Sequence, residues 1–459
     1  MNTEKTFDYL VIGAGSGGLL AYVGLKNLGK NVAIVSKNIG GDCTQYGCVP
    51  SKTFLHLAKE YRLTIDPAKK AKIKGESLNS IRKMVQEFTH EENKLVLGES
   101  YFDGTAEFIN EKSVKVTYPD KSSAIIVFRK KCIIATGSSP TRSTISGVPL
   151  EKIITNEDFF ELSVLPKSIT IIGGGPIGAE FATACASFGV ETYILSSDYL
   201  SREPKEISAR SLQSLKKLGV QYFPLKADHL ENSVLYLEDG TNIPETDYYL
   251  IAIGRKPNVQ VGLEHANIKY SQKGIVVDRN LYTANKNIFA IGDCTQNPQF
   301  THLAANQGKF VLKKILIPFA KNSESSLPRV TFTSPTIASA GQLEENNFSK
   351  KFVLDFANLD RAKTNYDKES YGEVFVDIRY GYILGASLFG DFAEDLINVF
   401  TLMIDEKIPL LKLANFMTPY PTYGNIFHSL VIEYFSFISK DWKKHPIRTI
   451  YQLWGYMRS

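Results

Sequence analysis

With 459 residues, 43% of them hydrophobic and 22% charged, the chain has the makeup of a globular protein too long for one core, which saturates near roughly 250–300 residues. A formal net charge of +5 is slight for this length and argues neither for nor against nucleic acid. No run approaches the roughly 18 uninterrupted apolar residues of a membrane span. The stretch from Met1 to Phe7 lacks the basic-then-apolar pattern of a signal peptide, and five cysteines with one telling spacing suit a reducing cytosol.

Residues 8–13 predict a short buried strand that runs into Gly13-Ala14-Gly15-Ser16-Gly17-Gly18, with apolar helix to about Leu28 and a second strand at 31–35. Strand, glycine turn and helix in that order form a dinucleotide-binding unit. Gly13, Gly15 and Gly18 permit the tight turn and let backbone N–H groups approach a pyrophosphate at the helix N-terminus. The position closing the second strand, where an acid usually holds the ribose hydroxyls, is Ser36, which offers a single hydrogen bond.

Next comes Gly40-Gly41-Asp42-Cys43-Thr44-Gln45-Tyr46-Gly47-Cys48-Val49-Pro50-Ser51-Lys52. Four residues between cysteines are too many for a thioredoxin-like C-x-x-C, and no second Cys or His pair lies at a zinc-ligand spacing; a redox-active disulfide fits. Cys48, with Lys52 one turn on, is the better placed at a helix mouth, where unpaired N–H groups and the macrodipole hold a thiolate at neutral pH. The string G-G-x-C-x-x-x-x-C-V-P-S-K resembles the signature of the class I flavoprotein disulfide reductases, the family of dihydrolipoamide dehydrogenase, glutathione reductase and mercuric reductase. The resemblance extends over nearly the whole chain. It implies FAD in the first dinucleotide fold, Gly41 among the residues that hold it, Cys43 as the interchange thiol that meets substrate, and Cys48 as the thiolate against the flavin.

Residues 53–95 read as helical, and Lys69, Lys70, Lys72 and Lys74 as a solvated helix face, so no nucleic-acid partner is expected. From about 100 to 140 β-branched residues accumulate, ending in Cys132-Ile133-Ile134-Ala135-Thr136-Gly137-Ser138, which resembles the family's A-T-G turn and assigns Thr136 and Gly137 to the FAD site. Cys132, Cys185 and Cys294 read as packing residues.

Residues 169–178 repeat the pattern with Gly173, Gly175 and Gly178, and a second dinucleotide fold implies a second dinucleotide, a nicotinamide coenzyme. Glu180 matches the family's glutamate that pairs with the lysine held here by Lys52. This fold's second strand ends in Ser196-Ser197, without an acid to repel a 2′-phosphate. Arg202 lies where NADPH-specific glutathione reductases carry one of two phosphate-binding arginines, the other position being Ser196. The expectation is NADPH, with NADH as the alternative. Gly254-Arg255-Lys256-Pro257-Asn258 resembles the segment that returns the chain to the flavin domain, and Gly292-Asp293 the turn that sets an aspartate on the flavin ribityl chain.

From Val330 the chain resembles the family's interface domain, which builds a homodimer and delivers residues into the partner's active site. The predicted architecture is α/β: two Rossmann-like dinucleotide-binding domains, 1–150 with 276–329 for FAD and 151–275 for NAD(P)H, then a C-terminal α+β interface domain over 330–459. In one place the chain leaves the family. Its His-Pro-Thr segment and following glutamate become Tyr420 and Asn425, and a phenol of pKa about 10 donates a proton but is rarely a base at pH 7. A tyrosine here resembles mercuric reductases, where a phenol helps hold a metal ion against the thiols, although their paired C-terminal cysteines have no match in the tail. His428 reads as a helix-face residue, and the resemblance makes the Tyr420-Pro421 bond cis.

The last twenty residues interleave Trp442, Tyr451, Trp454 and Tyr456 with Lys440, Lys443, Lys444, Arg448 and Arg458. They read as a helical extension packing on the dimer, with weak contact to an anionic membrane surface as the rival. The whole implies a cytoplasmic FAD-dependent NAD(P)H oxidoreductase that passes electrons through Cys43 and Cys48 to a disulfide or a soft metal ion. The alternatives are a quinone or other acceptor reduced directly at the flavin, and a redox sensor that has lost turnover.

Overall fold

The computed structural model describes residues 3–96, 98–322 and 326–441 together with Pro446 and Ile450. Lys440 is an exposed residue of the helix Ile426–Asp441, whereas Trp442, Lys443, Lys444, Arg448, Tyr451, Trp454, Tyr456 and Arg458 lie outside the described residues. The chain forms two compact units, each discontinuous in sequence: Met1–Pro166 with Asp247–Ser323, and Lys167–Thr246 with Glu324–Ser459. Among the described residues no helix is long and apolar enough to cross a membrane.

The first unit is built on β1 (Thr3–Gly15), followed by α1 (Ser16–Asn27), β2 (Val32–Gly40), α2 (Gly41–Gln45), α3 (Cys48–Leu63) and α4 (Pro67–Val96). β1 is apolar on both faces because both faces are covered. Leu10 and Ile12 join one core with Ala33, Val35, Phe108 and Ile134, while Tyr9 and Val11 join another with Tyr22, Leu25, Ile34 and Phe289. Four further strands, β3 (Tyr101–Asp103), β4 (Thr105–Asn110), β5 (Ser113–Thr117) and β6 (Ser123–Ile134), complete a sheet of order β3-β2-β1-β6-β5-β4. β3, β2, β1 and β6 run parallel, and β5 and β4 antiparallel. The late strand Ile288–Ala290 returns to pair with β6, Phe289 opposite Ile133, which brings the segment bearing Asp293 back to the sheet that carries the glycine turn.

The second unit opens with the parallel strands Ser168–Gly174, Glu191–Tyr199 and Gln221–Phe223. Its C-terminal part is a five-stranded antiparallel sheet, ordered Arg329–Thr331, Ile337–Gly341, Ile383–Phe389, Tyr371–Asp377, Ser349–Leu354. The helices Ala393–Asp405 and Ile426–Asp441 bury Ile397, Phe400, Phe427, Leu430 and Tyr434 in one core with those strands.

The strands following both glycine turns run past their expected ends, to Gly40 and to Tyr199. The same local contact occurs in each: the Ser36 hydroxyl donates to the Asn38 carbonyl at 2.9 Å, and the Ser196 hydroxyl to the Asp198 carbonyl at 2.7 Å. Each serine sits where the pairing to the neighbouring strand is interrupted, between Val35 and Ile39 and between Leu195 and Tyr199, and its hydroxyl takes up a local carbonyl there.

Candidate active site

α1 begins directly after the first glycine turn, with Gly15 as its N-cap and no side chain capping it, so the first N–H donors are left for a ligand. Gly18 sets the distance between helix and strand, because a Cβ there would lie 2.0 Å from the Gly13 carbonyl oxygen. The turn opens on a cavity of ≈ 660 Å³ whose walls include Gly13, Gly15, Ser36, Gly41, Thr136, Gly137 and Asp293. Seven residues assigned to the FAD site from sequence are thus gathered on one cavity. Ser36 spends its proton on Asn38, leaving its oxygen lone pairs to accept, and its carbonyl takes a bond from the Tyr101 hydroxyl at 3.1 Å. Volume, uncapped helix terminus and polar walls fit a dinucleotide diphosphate.

Cys43 lies on the short α2 and on the cavity wall, and Cys48 is the first residue of α3, whose N-cap Gly47 supplies no side-chain cap. The Cys48 sulfur is 3.5 Å from the hydroxyl of Thr301, itself a wall residue. Cys43 and Cys48 stand as thiols here. The hydrogen bond to the Cys48 side chain, and after it burial, pushes the Cys43 thiol far up from its ordinary range. Lys52 follows one turn along α3, half-buried.

The support of this loop was not visible in the sequence. Thr44, 3% exposed, donates to Glu92 Oε1 of α4 at 3.0 Å, Gln45 Nε2 donates to the Thr89 hydroxyl and the Ile39 carbonyl at 2.9 Å each, and Asn156 Nδ2 holds the Tyr46 carbonyl at 3.0 Å. Burial pushes the Glu92 carboxyl up. A second chain of contacts begins at Asp42, beside Cys43. The Asp42 carboxylate lies 2.8 Å from the Arg255 guanidinium, Arg255 donates to the Ser138 hydroxyl and carbonyl at 2.8 Å each, and the Ser138 hydroxyl donates to Asp293 Oδ2 at 2.8 Å. Burial raises the Asp293 carboxyl while Ser138 and Arg255 pull it back. Arg255 and the neighbouring Gly254 are absent from the cavity wall; the arginine acts on it through Ser138 and Asp42.

In the second unit, Gly175 is the N-cap of the helix Pro176–Ser187, again without a side-chain cap, and a Cβ on Gly178 would sit 2.1 Å from the Gly173 carbonyl oxygen. Both glycine turns therefore solve one packing problem identically. Glu180 is buried and its Oε1 accepts the Phe332 N–H at 3.0 Å. Ser196 has its proton engaged by the Asp198 carbonyl, and the Arg202 side chain is exposed.

Tyr420 is 75% exposed, follows the expected pattern of a cis bond to Pro421, and donates its hydroxyl to Asp360 Oδ2 at 2.8 Å. That bond raises the phenol above its ordinary range. Asn425 plays no part in it: its Oδ1 accepts the Thr422 N–H at 3.0 Å and its Nδ2 donates to the Thr418 hydroxyl at 2.7 Å, capping its own turn. His428 Nε2 lies 3.1 Å from the same Thr418 hydroxyl. The carboxylate partner of Tyr420 is thus Asp360, sixty positions upstream, which no local motif marks. Cys132, Cys185 and Cys294 are fully buried.

Comparison with known proteins agrees with this geometry. The pyridine nucleotide-disulphide oxidoreductase family model matches residues 7–308, and the dimerisation domain of the same family matches residues 327–431. The chain is 31% identical to dihydrolipoyl dehydrogenase of Geobacillus stearothermophilus over 91% of this chain and 94% of that protein. It is 29% identical to mercuric reductase of Staphylococcus aureus over 92% of this chain and 81% of that protein. Among solved structures it is similar to the Cu(II) complex of the HOCl-induced flavoprotein disulfide reductase RclA from Escherichia coli, at 26% identity and a TM-score of 0.83, covering 94% of this chain and 100% of that one.

Proposed function

The chain belongs to the pyridine nucleotide-disulphide oxidoreductases, FAD enzymes that use a pyridine nucleotide, and from that premise we propose that Cys43 and Cys48 carry electrons from NADPH to a disulfide or a soft metal ion. The observation that carries this reading is the placement of the two thiols: one on the wall of the glycine-lined cavity, the other at an uncapped helix N-terminus beside it. When bound, FAD supplies the two-electron step between nicotinamide and sulfur.

The protein's own residues do the rest. A Cys43 thiol that bonds to Cys48 favours the charge on Cys48, where the α3 terminus stabilises it. Cys43 then meets the acceptor. With a disulfide, the Cys43 sulfur attacks one sulfur as its proton passes to the bonded Cys48 thiolate, the first leaving thiolate takes a proton for which Tyr420 is the candidate, and Cys48 then resolves the mixed disulfide as its proton goes to the second leaving sulfur. Lys52 supplies a cation one turn past Cys48, and Glu180 a buried carboxylate at the second glycine turn. Arg202 is the candidate cation for a 2′-phosphate, with NADH the coenzyme should that assignment fail. The dimerisation domain supports a homodimer, in which Tyr420 serves the partner's thiols.

One observation favours a soft metal ion over a dithiol–disulfide acceptor. Tyr420 is 75% exposed with its proton held by Asp360, so its oxygen has only lone pairs left to offer, an arrangement suited to ligation more than to acid catalysis. The Cu(II) complex of RclA and the mercuric reductase relative accord with it. Anaerobic titration with NADPH and NADH tests the reading: flavin bleaching and a long-wavelength thiolate-to-flavin band are expected. Cys43→Ser is expected to abolish disulfide and metal reduction while sparing flavin reduction. Full turnover in Cys43→Ser would transfer the chemistry to direct reduction at the flavin.

A further inference from the structure

A buried charge in the second unit takes no part in that chemistry. Glu203 keeps 7% of its side chain exposed, and four donor contacts converge on its carboxylate. Arg329 approaches Oε1 through Nε at 3.4 Å and Nη2 at 3.3 Å, the Ser339 hydroxyl donates to Oε1 at 3.0 Å, and the Ser387 hydroxyl to Oε2 at 3.3 Å. Ser339 and Ser387 are wholly buried on adjacent strands of the five-stranded sheet. The same Arg329 Nη2 also donates to the backbone carbonyl of Arg202 at 3.2 Å.

A buried ion pair is a poor source of stability, since apolar side chains of equal volume commonly do as well. What it supplies here is position. The segment 196–203 leaves the second nucleotide fold and is fixed at two points. At one the Leu200 N–H bonds the Gly174 carbonyl at 2.8 Å, within the glycine turn itself, and Leu200 takes a left-handed φ of 46°. At the other, Arg329 grips the Arg202 carbonyl and the Glu203 carboxylate together. The Arg202 side chain is left exposed.

We infer that Glu203 and Arg329 form a clamp that positions the coenzyme-binding segment, so that affinity for the nicotinamide coenzyme depends on the sheet of the dimerisation domain. This rests on the assignment of the second glycine turn to that coenzyme. Glu203 and Arg329 are positioning residues: they hold the peptide of Arg202 and touch no reacting atom.

The test is direct binding of NADP⁺ and NAD⁺ to the oxidised holoenzyme, by calorimetry, for the parent, Glu203→Gln and Arg329→Lys. Arg329→Lys keeps the charge opposite Glu203 but loses the forked donor that spans both partners. Both variants are expected to weaken coenzyme binding roughly tenfold or more, as displacement of a positioning element does. KM for the coenzyme should rise while kcat at saturation holds. Should Glu203→Gln fail to fold, Arg329→Lys carries the test alone. Dissociation constants within twofold of the parent in a folded Arg329→Lys protein would overturn the clamp. A parent that binds neither coenzyme would overturn the assignment of the glycine turn, and the two failures are told apart by that first measurement.

Discussion

Arg255→Met removes the one guanidinium that links Asp42 to Ser138 beside the cavity, and its consequences can be worked out from the contacts. The wild-type side chain is 12% exposed, the Asp42 partner 33%, and two hydrogen bonds to Ser138 at 2.8 Å are lost along with the ion pair. Breaking a fully buried pair costs about 3–5 kcal/mol. Partial exposure of Asp42 lets water screen the orphaned carboxylate, and roughly 2–3 kcal/mol remains. At about 1 °C per kcal/mol for a chain of 459 residues, the melting temperature should fall by roughly 2–3 °C. The deficit carries a pH signature. Asp293 and Glu157 are both raised by burial and both held down by Arg255, so its loss raises them further. A carboxyl whose folded pKa lies above its unfolded value contributes stability at low pH that is lost as pH rises through the folded pKa. The variant should therefore be most destabilised near pH 7–8 and approach the parent as pH falls toward 5. Thermal melts by circular dichroism, with flavin release followed by fluorescence, measure this. A deficit that is the same at pH 5 and pH 8 would refute the electrostatic reasoning, leaving only lost packing.

Three further outcomes follow from single contacts. Gly178→Ala places a methyl 2.1 Å from the Gly173 carbonyl and should cost about 1–3 kcal/mol while weakening nicotinamide coenzyme binding, read by melting and calorimetry. Glu92→Gln removes a carboxyl whose folded pKa is raised by burial, so it should gain stability relative to the parent as pH rises from 4 to 7, seen in urea midpoints across that range. Asp360→Asn keeps an acceptor oxygen but removes the negative charge that helps raise the Tyr420 phenol, so an alkaline limb of the pH–rate profile assigned to Tyr420 should move to lower pH, with no move if Asp360 is incidental.

The parts of this molecule legible in the sequence are those whose partners are close in the chain. Gly13, Gly15 and Gly18, their repeat at Gly173, Gly175 and Gly178, and Cys43 with Cys48 each lie within one turn of backbone, where spacing alone dictates geometry. The two serines at the expected strand ends were visible, but not that each would bond two residues ahead, because a hydroxyl's choice between ligand and backbone depends on the path the chain then takes. Illegible were contacts across long separations: Arg255 to Asp42, Arg329 to Glu203, Asp360 to Tyr420. Arg255 and Tyr420 were marked by motifs but their partners were not: Asp42, Glu203, Arg329 and Asp360 have no period or spacing that pairs them with a residue far along the chain, and only the folded chain selects which group each carboxylate meets.

The exchange of a histidine–glutamate pair for Tyr420 shows why that limit matters for function. From the sequence, Asn425 stands where the glutamate should be, which reads as loss of the proton-handling dyad. In the fold, Asn425 caps its own turn and Asp360 takes the carboxylate's place from another element. Imidazole held by a carboxylate keeps a second nitrogen free to take and return protons near neutral pH. A phenol held the same way keeps only lone pairs, and its raised pKa makes deprotonation harder still. On the reading proposed above, a phenol tied to Asp360 would offer an oxygen to an incoming group more readily than it would shuttle protons. An acceptor that requires thiolates and a neutral oxygen ligand, as a soft cation does, gains from this exchange, whereas a dithiol substrate that needs a base loses by it.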